Sequence, residues 1–516
     1  MKALPIGIQD FEKLRQDDYL YVDKTEYYYH IFKEGTFFFL SRPRRFGKSI
    51  MLSTLKYLYQ GKKELFQELW IEDKWDWDNI KPVIYIDVND AVTKGGANLA
   101  ESLMIIIARQ AELNNVELTA RDPGNAFREL IEKLGEREKV VILIDEYDKP
   151  ITDYIEQPKI SEEHVGILKS FYGALKSKDH YIYKAIITGV SKYGKVSIFS
   201  ELNNLTDLTV SYNSNMICGY TQADLEFYFR DYFQRLKNVY QITEPELLYW
   251  IKTWYNGYSW NGNPDETLYN PFSILKLFYH QRFENFWFET GTPTFLTKLM
   301  ARDKISPEKL EQLTTFETVF SSSDLYNLDV LSLLVQTGYL TIKKIILNPA
   351  QTRFILSYPN KEVRLSFSNF LLAEYMHVTP TSVGTDIVID LQNALNEKNW
   401  PAFFEKINQV FATVPYSIFN SNEAYYHSLV HVLLTLTGNL VLSEVLTNKG
   451  RIDSVLETED FVVIFEFKMD GSADQALKQI HAKGYGERYS KSGKDLFIIG
   501  VNFDSGERKI VDWMLG

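Results

Sequence analysis

Short apolar runs alternate with helical patterns along the N-terminal part of the chain. Four of these runs are continuous and have the length of a buried strand: Phe37–Leu40, Val83–Val88, Val140–Ile144 and Tyr181–Thr188. Amphipathic stretches typical of helices lie between them, at about Ser49–Tyr59, Leu99–Leu113, Ala126–Leu134 and Val165–Leu175. Buried strands that alternate with helices predict a parallel sheet covered on both faces, so the predicted fold class is α/β.

The middle of the chain changes its pattern twice. It is mostly helical from about Thr221 to Phe288. A predicted helix at Leu325–Gln336 then precedes two predicted strands, Tyr339–Leu347 and Arg353–Ser357, and a further extended run at Val363–Phe367. A helix followed by a β-hairpin is the outline of a winged-helix module, which reads DNA in some proteins and only packs in others.

Two more predicted helices, Asp386–Asn396 and Pro401–Ala412, lead to a last α/β unit. These changes divide the chain into four predicted segments. They are an N-terminal α/β domain at 1–220, a helical and winged-helix-like region at 221–375, a helical connector at 376–419 and a C-terminal α/β domain at 420–516. Several domains are expected, because 516 residues exceed what one hydrophobic core usually supports.

Composition narrows the classes of function. The 56 Lys and Arg against 68 Asp and Glu give a net charge of −12, which argues against coating nucleic acid by bulk charge but leaves a local basic cleft open. The lone Cys218 excludes a disulfide framework and a Cys-rich zinc site. With no run of 18 apolar residues and no signal-like N-terminus, we expect a cytoplasmic protein without a membrane partner. A homo-oligomer is left open.

The loop after the first predicted strand carries the first candidate chemistry. Arg42-Pro43-Arg44-Arg45-Phe46-Gly47-Lys48-Ser49 separates that strand from a helix. In a P-loop, backbone N–H groups at a helix N-terminus wrap a triphosphate. Lys48 would reach the β- and γ-phosphates of ATP, and the Ser49 hydroxyl would bind Mg²⁺.

Arg42 stands where the usual P-loop has a glycine, so the loop is either a degenerate P-loop or a chance Gly-Lys-Ser. Arg42, Arg44 and Arg45 would add phosphate contacts of their own, because guanidinium suits phosphate oxygens. The alternative for these arginines is a solvated basic edge.

Asp145 and Glu146 end the third predicted strand, where ligands bind in open α/β sheets. Asp145 would bind Mg²⁺, and Glu146 would polarise the attacking water. Thr188, at the end of the next strand, would sense the γ-phosphate. The alternative is an ordinary polar strand ending, but both motifs occur in the right order and on the right elements, which favours an ATP site.

Several motifs together resemble the bacterial AAA-ATPase-like family. They are Leu4–Phe11, Tyr21–Thr25, Arg42–Ser49, Leu143–Asp148, Ile187–Ser191, Trp254–Tyr258 and Tyr269–Phe272. In that family Arg-Pro-Arg-Arg-Phe-Gly-Lys-Ser is the normal form of the loop, so Arg42 departs from general P-loops but not from these relatives. The resemblance covers the first 290 residues or so. It implies a P-loop NTPase core whose ATP-binding loop includes Phe46 and Gly47.

A second candidate site lies on the C-terminal strands. Residues i and i+2 of a strand share a face, so Glu466 and Lys468 point the same way. Asp453, on the neighbouring strand, can lie next to Glu466. Two carboxylates beside one lysine on apolar strands are costly unless a metal binds them. Mg²⁺, or Mn²⁺ in its place, would activate water there, and Lys468 would orient the water or the scissile phosphate. The alternative is an exposed Glu–Lys ion pair.

A predicted helix at Asn422–Leu434 precedes these strands. It places Glu423, His427 and His431 on one face, and Glu423 would add a further carboxylate to the metal. For the two histidines, a packing or capping role is favoured over metal binding. Glu444 is a weaker candidate, because its strand position also suits solvent exposure.

This C-terminal segment resembles the PD-(D/E)xK nuclease superfamily. The matching pieces are Tyr426-His427, Ser443-Glu444, Gly450–Asp453, Glu466–Lys468 and Gln475–Ile480. The resemblance implies a restriction-endonuclease-like α/β domain in which Asp453, Glu466 and Lys468 take the catalytic places and Gln479 assists. Ile452 stands where the superfamily name has a proline.

Taken together, the two sites predict an ATP-binding and ATP-hydrolysing protein coupled to Mg²⁺-dependent cleavage of nucleic acid, with DNA favoured over RNA. One alternative is a nucleotide-operated switch or assembly ATPase whose nuclease-like domain binds without cleaving. Another is ATP binding without turnover. The net negative charge and the absence of an evident basic stripe favour the nucleotide-operated switch.

Overall fold

The computed structural model forms two compact units. It describes residues 1–91, 99–192, 198–199, 202, 204–290, 294–303, 305–320, 329–376, 378, 385–413, 423–447, 450–490 and 493–516. The first unit is Met1–Trp287 with Thr314–Asn360, and the second is Phe288–Leu313 with Lys361–Gly516. The predicted start of the C-terminal domain at Asn420 lies outside the described residues, and the division into four segments stays a prediction.

A five-stranded parallel sheet forms the centre of the first unit, in the order β2-β3-β4-β1-β5. Its strands are β1 (Phe37–Ser41), β2 (Val83–Asp87), β3 (Val140–Asp145), β4 (Ile182–Gly189) and β5 (Leu205–Asp207). The predicted α/β class and the four predicted strands are confirmed. Because parallel strands end at one edge of the sheet, the ends of β1, β3 and β4 lie side by side.

Helices cover this sheet and extend the first unit. They are α1 (Phe11–Gln16), α2 (Thr25–Phe32), α3 (Lys48–Tyr59), α4 (Leu99–Leu113), α5 (Pro123–Gly135), α6 (Lys149–Thr152), α7 (Pro158–Ser177), α8 (Gln222–Tyr228), α9 (Arg230–Tyr240), α10 (Glu244–Tyr255) and α11 (Pro271–His280). The Phe127 and Phe171 rings stack 4.8 Å apart and join α5 to α7. Among the described residues, no helix combines the length and apolarity needed to cross a bilayer.

A smaller sheet in the order β6-β8-β7 follows the helical region. Its strands are β6 (Leu313–Phe316), β7 (Thr341–Ile346) and β8 (Arg353–Ser357). The helix before the hairpin spans Val330–Gln336, and the predicted helical residues 325–328 lie outside the described part of the chain. The helix and hairpin of the predicted winged-helix outline are therefore present.

The prediction of an extended run at Val363–Phe367 is wrong. These residues belong to the helix Lys361–Met376. Val363, Phe367 and Leu371 are buried and recur every four residues, which is the period of one helix face. The run is too short to distinguish this period from that of a strand.

The second unit is a five-stranded sheet with helices on both faces, in the order β13-β12-β11-β10-β9. Its strands are β9 (Leu440–Leu446), β10 (Arg451–Glu457), β11 (Phe461–Met469), β12 (Asp495–Asp504) and β13 (Lys509–Leu515). Strands β11 and β12 pair in parallel, and the other pairs are antiparallel. The helices, numbered on from α11, are α12 (Thr294–Asp303), α13 (Val330–Gln336, in the first unit), α14 (Lys361–Met376), α15 (Thr385–Asn396), α16 (Trp400–Thr413), α17 (Glu423–Leu436) and α18 (Ala473–Lys483).

Helix α18 lies directly on the sheet at Gly500 of β12. A Cβ at this position would lie 2.3 Å from the Ala473 carbonyl oxygen and 2.8 Å from the Leu477 nitrogen. Both atoms are helix backbone, which cannot move aside as a flexible side chain can. The glycine therefore sets how closely α18, which carries Gln479, approaches β11 and β12.

We predict that Gly500→Ala lowers the free energy of unfolding of the second unit by about 1–3 kcal/mol, the usual range for overpacking. Hydrogen exchange should increase in α18 and β12, and the thermal unfolding midpoint should fall. Gly166→Ala is the control, because a methyl group there meets nothing within 4 Å. Unchanged exchange in α18 would show that the contact at Gly500 does not hold the helix.

Candidate functional site

The loop between β1 and α3 forms a tight turn before the helix. Arg45 has φ +65° and Gly47 has φ +94°, both in the left-handed region. Glycine adopts this region freely, whereas for Arg45 it is strained. Lys48 is the first residue of α3 and Ser49 the second, so both lie at the positive end of the helix dipole. This geometry is that of an anion-binding helix N-terminus.

Arg42 is buried beneath the loop. Its guanidinium donates hydrogen bonds to the carbonyl oxygens of Ser41 and Thr209, each at 2.9 Å, and of Ser214 at 3.0 Å. It also lies 4.1 Å from the centroid of the Trp260 ring, a cation–π contact. Burial lowers the pKa of Arg42 to about 10, which leaves it charged at neutral pH. Arg42 therefore supports the loop from below, and the phosphate contact expected from the sequence does not fit this placement.

Phe46 is a second anchor of the loop. Its ring is fully buried, 4.9 Å from Tyr258 and 5.0 Å from Trp260 between centroids. Its carbonyl oxygen accepts a hydrogen bond from the Gly219 N–H at 3.1 Å. Phe46 thus packs into the protein, so its contribution to ATP binding would be to hold the loop rather than to touch the nucleotide.

Of the loop arginines, Arg44 and Arg45 are exposed. The Arg45 guanidinium lies 5.2 Å from the centroid of the Phe272 ring. These two side chains, unlike that of Arg42, are accessible from solvent and remain candidates for phosphate contact.

Lys48 is held by its own loop. Its Nζ donates to the carbonyl oxygens of Arg42 at 2.9 Å and Pro43 at 3.0 Å, and the side chain is buried. Burial lowers the pKa of Lys48, and the nearby Asp145 and Glu146 charges oppose this shift. The ammonium therefore lies between the loop and the carboxylates that end β3.

Asp145 is fixed by its neighbours on β3 and β4. It is 1% exposed, and its Oδ1 accepts hydrogen bonds from Thr188 Oγ1 at 2.5 Å and from the Glu146 N–H at 3.0 Å. Thr188 is itself fully buried. The structure thus brings Thr188 against Asp145, so Thr188 can orient the carboxylate.

Asp148 ties the end of β3 to the end of β4. Its carboxylate is buried and accepts from the Ser191 N–H and Ser191 Oγ, each at 2.7 Å, and from the Val190 N–H at 3.2 Å. These bonds hold the segment after β4 close to the Asp145 and Glu146 pair. The role of Asp148 is not evident from the sequence, although the residue belongs to the same Leu143–Asp148 motif.

Asp87 is a further carboxylate at this edge of the sheet, and it was not among the candidates predicted from the sequence. It ends β2 and pairs in register with Asp145 on β3. Burial raises the pKa of Asp87 to about 7, and the Asp145 charge adds to the shift. Glu146, with φ +51°, also has a raised pKa because of burial, which the Lys48 charge opposes. The usable signal was an aspartate close to the end of each of two consecutive predicted strands, Asp87 within Val83–Val88 and Asp145 directly after Val140–Ile144.

The donor set at this edge fits a nucleotide with Mg²⁺. Lys48 and the helix N-terminus suit phosphate oxygens, and Ser49 and Asp145 offer the hydroxyl and carboxylate that such an ion prefers. Burial is the main cause of the raised pKa values of Asp87 and Glu146, and the charges of neighbouring carboxylates add to it, so a cation at this edge would stabilise the ionised carboxylates.

The second candidate site lies on β10, β11 and α18. Glu466 is 1% exposed, and its Oε1 lies 3.2 Å from Lys468 Nζ. Gln479 Nε2, on α18, donates to the same oxygen. Glu466, Lys468 and Gln479 are therefore brought together, with Glu466 and Lys468 on one face of β11.

Asp453 joins this group from β10. Its Oδ2 accepts a hydrogen bond from the Phe467 N–H at 2.9 Å. Asp453 lies opposite Glu444 of β9, between the pairs Ile452–Val445 and Ser454–Ser443, and Glu444 has φ +58°. Glu444 itself forms an ion pair with Arg451.

Burial raises the pKa of Glu466 to about 7, and the Asp453 charge adds to the shift, whereas Lys468 opposes it. Glu466 Oε2 is buried and has no hydrogen-bond partner in the described part of the protein. An unpartnered buried carboxylate oxygen beside a second carboxylate is costly. These oxygens therefore fit a divalent cation such as Mg²⁺.

Side chains alone do not supply a full set of ligands here. In the residues that the structure describes, no three His, Cys, Asp or Glu side chains are grouped closely enough to hold a metal ion. A cation between Asp453 and Glu466 would complete its shell with backbone oxygens, such as the Phe467 carbonyl, and with water.

The helix α17 contributes packing to the site. His427 Nε2 lies 3.0 Å from the Asp453 carbonyl oxygen, and His431 Nδ1 lies 2.8 Å from Ser443 Oγ. Burial lowers the pKa of His431 to about 3, so it is neutral. Glu423, at the start of α17, is exposed, and the structure does not bring it to Asp453 or Glu466 through any contact between described residues. A metal-binding role for Glu423 stays a prediction.

Comparison with known proteins agrees with both resemblances. A family model described as a predicted AAA-ATPase matches residues 5–199, which include the loop and Asp145. A model of the PD-(D/E)XK nuclease superfamily matches residues 421–513, which include Asp453, Glu466 and Lys468. The two family resemblances drawn from the sequence are confirmed, and the AAA-ATPase match ends at residue 199, before the motifs at Trp254–Tyr258 and Tyr269–Phe272.

One relative aligns with the chain over almost its whole length. The "uncharacterized protein in vnfD 5′ region" of Azotobacter chroococcum mcd 1 is 36% identical over 524 residues, which cover 100% of this chain and 99% of the relative. No solved structure matches the chain. The chain therefore belongs to the predicted AAA-ATPase family, with a C-terminal domain of the PD-(D/E)XK nuclease superfamily.

Proposed function

We propose that this protein is an ATP-dependent nuclease, in which an ATP-hydrolysing domain controls Mg²⁺-dependent cleavage of phosphodiester bonds. The observation that carries the proposal is the group formed by Asp453, Glu466 and Lys468. It joins two carboxylates, one of them buried with an unpartnered oxygen, to a single lysine. The proposal includes DNA as the preferred substrate over RNA, Mn²⁺ as a substitute ion and a cytoplasmic location.

In the nuclease-like domain, Asp453 and Glu466 would hold the ion together with the Phe467 carbonyl oxygen. The bound ion would supply an activated water and stabilise charge on the phosphodiester. Gln479 would restrain the Glu466 carboxylate through its hydrogen bond to Oε1. Lys468 would orient the water or the scissile phosphate with its ammonium group.

In the ATPase domain, Lys48 would exchange its two loop carbonyls for phosphate oxygens of ATP. Arg44 and Arg45 would approach the phosphates from the exposed side of the loop. Thr188 would hold Asp145 in place to bind Mg²⁺ with Ser49, and Glu146 would orient the attacking water. The ion would neutralise charge that develops between the phosphates.

We predict that purified protein with Mg²⁺ or Mn²⁺ cleaves DNA or RNA, and that Lys468→Met lowers the rate by about 100-fold or more, the usual effect of losing one donor to a developing charge. Glu466→Gln should abolish metal-dependent cleavage. Lys478→Met is the matched control, because Lys478 is a neighbouring lysine whose side chain is 75% exposed and paired with Asp474. Cleavage is measured with labelled single- and double-stranded substrates, with and without ATP.

Absence of cleavage under every condition would contradict the proposal. If the protein then still bound nucleic acid, and if Lys48→Ala but not Glu466→Gln abolished its effect in cells, the nucleotide-operated switch would be supported instead.

We predict that Lys48→Ala weakens ATP binding by at least about tenfold, because it removes the charge-assisted contact to the phosphates. Lys63→Ala, an exposed lysine on a short helix after α3, should leave ATP binding unchanged. Glu146→Gln should retain binding and lose hydrolysis, which fluorescent-nucleotide titration and phosphate release can separate. Hydrolysis that survives Glu146→Gln would remove Glu146 from the proposed mechanism.

We predict that replacing Arg42 changes the stability of the protein, whereas replacing Arg45 changes its affinity for ATP. Arg42→Met should lower the free energy of unfolding by about 3 kcal/mol or more, because it leaves buried carbonyls unpaired. Arg45→Met should leave stability unchanged and weaken ATP binding. Thermal unfolding and nucleotide titration of both variants test this. If Arg42→Met unfolds like the wild type, its support of the loop is refuted.

A further inference from the structure

Lys468 does not extend away from its strand. Its Nζ lies 3.2 Å from Glu466 Oε1 and donates to the Phe467 carbonyl oxygen, also at 3.2 Å. That carbonyl belongs to the residue just before Lys468, so the side chain folds back along β11. Its side chain is 29% exposed, and the site's own oxygens hold the ammonium.

The two oxygens of the Glu466 carboxylate are used unequally. Oε1 accepts hydrogen bonds from both Lys468 and Gln479, whereas Oε2 is buried and has no partner among the described residues. Asp453 lies close enough for its charge to oppose ionisation of Glu466. One ammonium therefore partly offsets two carboxylates, and it does so through one oxygen.

We infer that Lys468 is a built-in competitor for the divalent cation, because its ammonium occupies Glu466 Oε1 and the Phe467 carbonyl oxygen and leaves only Oε2 of Glu466 open to the ion. Binding of the ion would displace Lys468 from these oxygens and free it for the substrate. This inference rests on the proposed function, since it takes Asp453, Glu466 and the Phe467 carbonyl as the place of the ion.

Coordination and charge both support competition. A divalent cation such as Mg²⁺ takes about six oxygen ligands, and Lys468 occupies two of the few that the protein offers. An ammonium a few ångströms from a divalent ion also repels it, although partial exposure screens the repulsion. The lysine that cleavage requires should therefore weaken binding of the ion.

The test is Mn²⁺ binding to the full-length protein without nucleotide, measured from the electron paramagnetic resonance signal of free Mn²⁺. We expect Lys468→Met to bind Mn²⁺ about tenfold more tightly than the wild type, because a repelling charge is removed. The same variant should lose cleavage, so affinity and activity move in opposite directions. A residue with only a structural role would not raise metal affinity.

Three control variants identify the cause. Gln479→Leu removes the other donor to Glu466 Oε1 without changing the charge, so it should not reproduce the tightening. Lys478→Met removes a positive charge from the surface of α18 and should leave Mn²⁺ affinity unchanged. Lys468→Arg keeps the charge and should not tighten binding. If Lys468→Met unfolds, Lys468→Gln is expected to give the same tenfold gain, again by removal of the charge.

Two failures can be told apart. If Glu466→Gln removes Mn²⁺ binding but Lys468→Met and Lys468→Gln bind no more tightly than the wild type, competition by Lys468 is overturned and the metal site stands. If the wild type binds Mn²⁺ no better than Glu466→Gln does, the metal site itself is overturned, and the inference falls with it.

Discussion

Carboxylates held out of water on buried strands determine both candidate sites. Asp145 ends β3 with 1% of its surface exposed, and Glu466 lies on β11 with the same exposure. A buried carboxylate is costly unless hydrogen bonds or a positive charge compensate it. In each site one lysine lies near the carboxylates. Lys48 in the first unit is held by two loop carbonyl oxygens, whereas Lys468 in the second pairs with Glu466. The partly compensated charge is what makes each site suited to a divalent cation.

The loop before α3 shows how a buried cation can replace a glycine. The usual P-loop relies on a glycine at this position for its turn, whereas here Arg42 extends beneath the loop and bonds three carbonyl oxygens. Trp260 contacts both the Arg42 guanidinium and the Phe46 ring, so one indole supports two positions of the loop. The left-handed turn then falls on Arg45 and Gly47. The loop is therefore shaped by packing from below rather than by flexibility of its own backbone.

The parts of this picture that depend on local pattern were predictable from the sequence. Continuous apolar runs predicted β1 to β4 of the parallel sheet but not the short edge strand β5, and alternation along Phe461–Lys468 placed Glu466 and Lys468 on one face. The predicted extended run at Val363–Phe367 was wrong, because five residues are too few to distinguish the period of a strand from that of a helix. The structure shows that the helix continues beyond them to Met376.

Roles that depend on tertiary contacts were not predictable. Sequence chemistry suggested a phosphate contact for Arg42, since nothing in the local pattern reveals that Thr209, Ser214 and Trp260 surround it. Asp87 was missed because its significance comes from pairing with Asp145 across two strands. The two lysines also differ in a way that only contacts reveal. Lys48 is held by neutral carbonyls, which a phosphate can replace with stronger charge-assisted bonds. Lys468 is held by a carboxylate, so releasing it without another cation would leave Glu466 and Asp453 less compensated. The loop therefore favours arrival of an anion, whereas the nuclease-like site favours arrival of a cation.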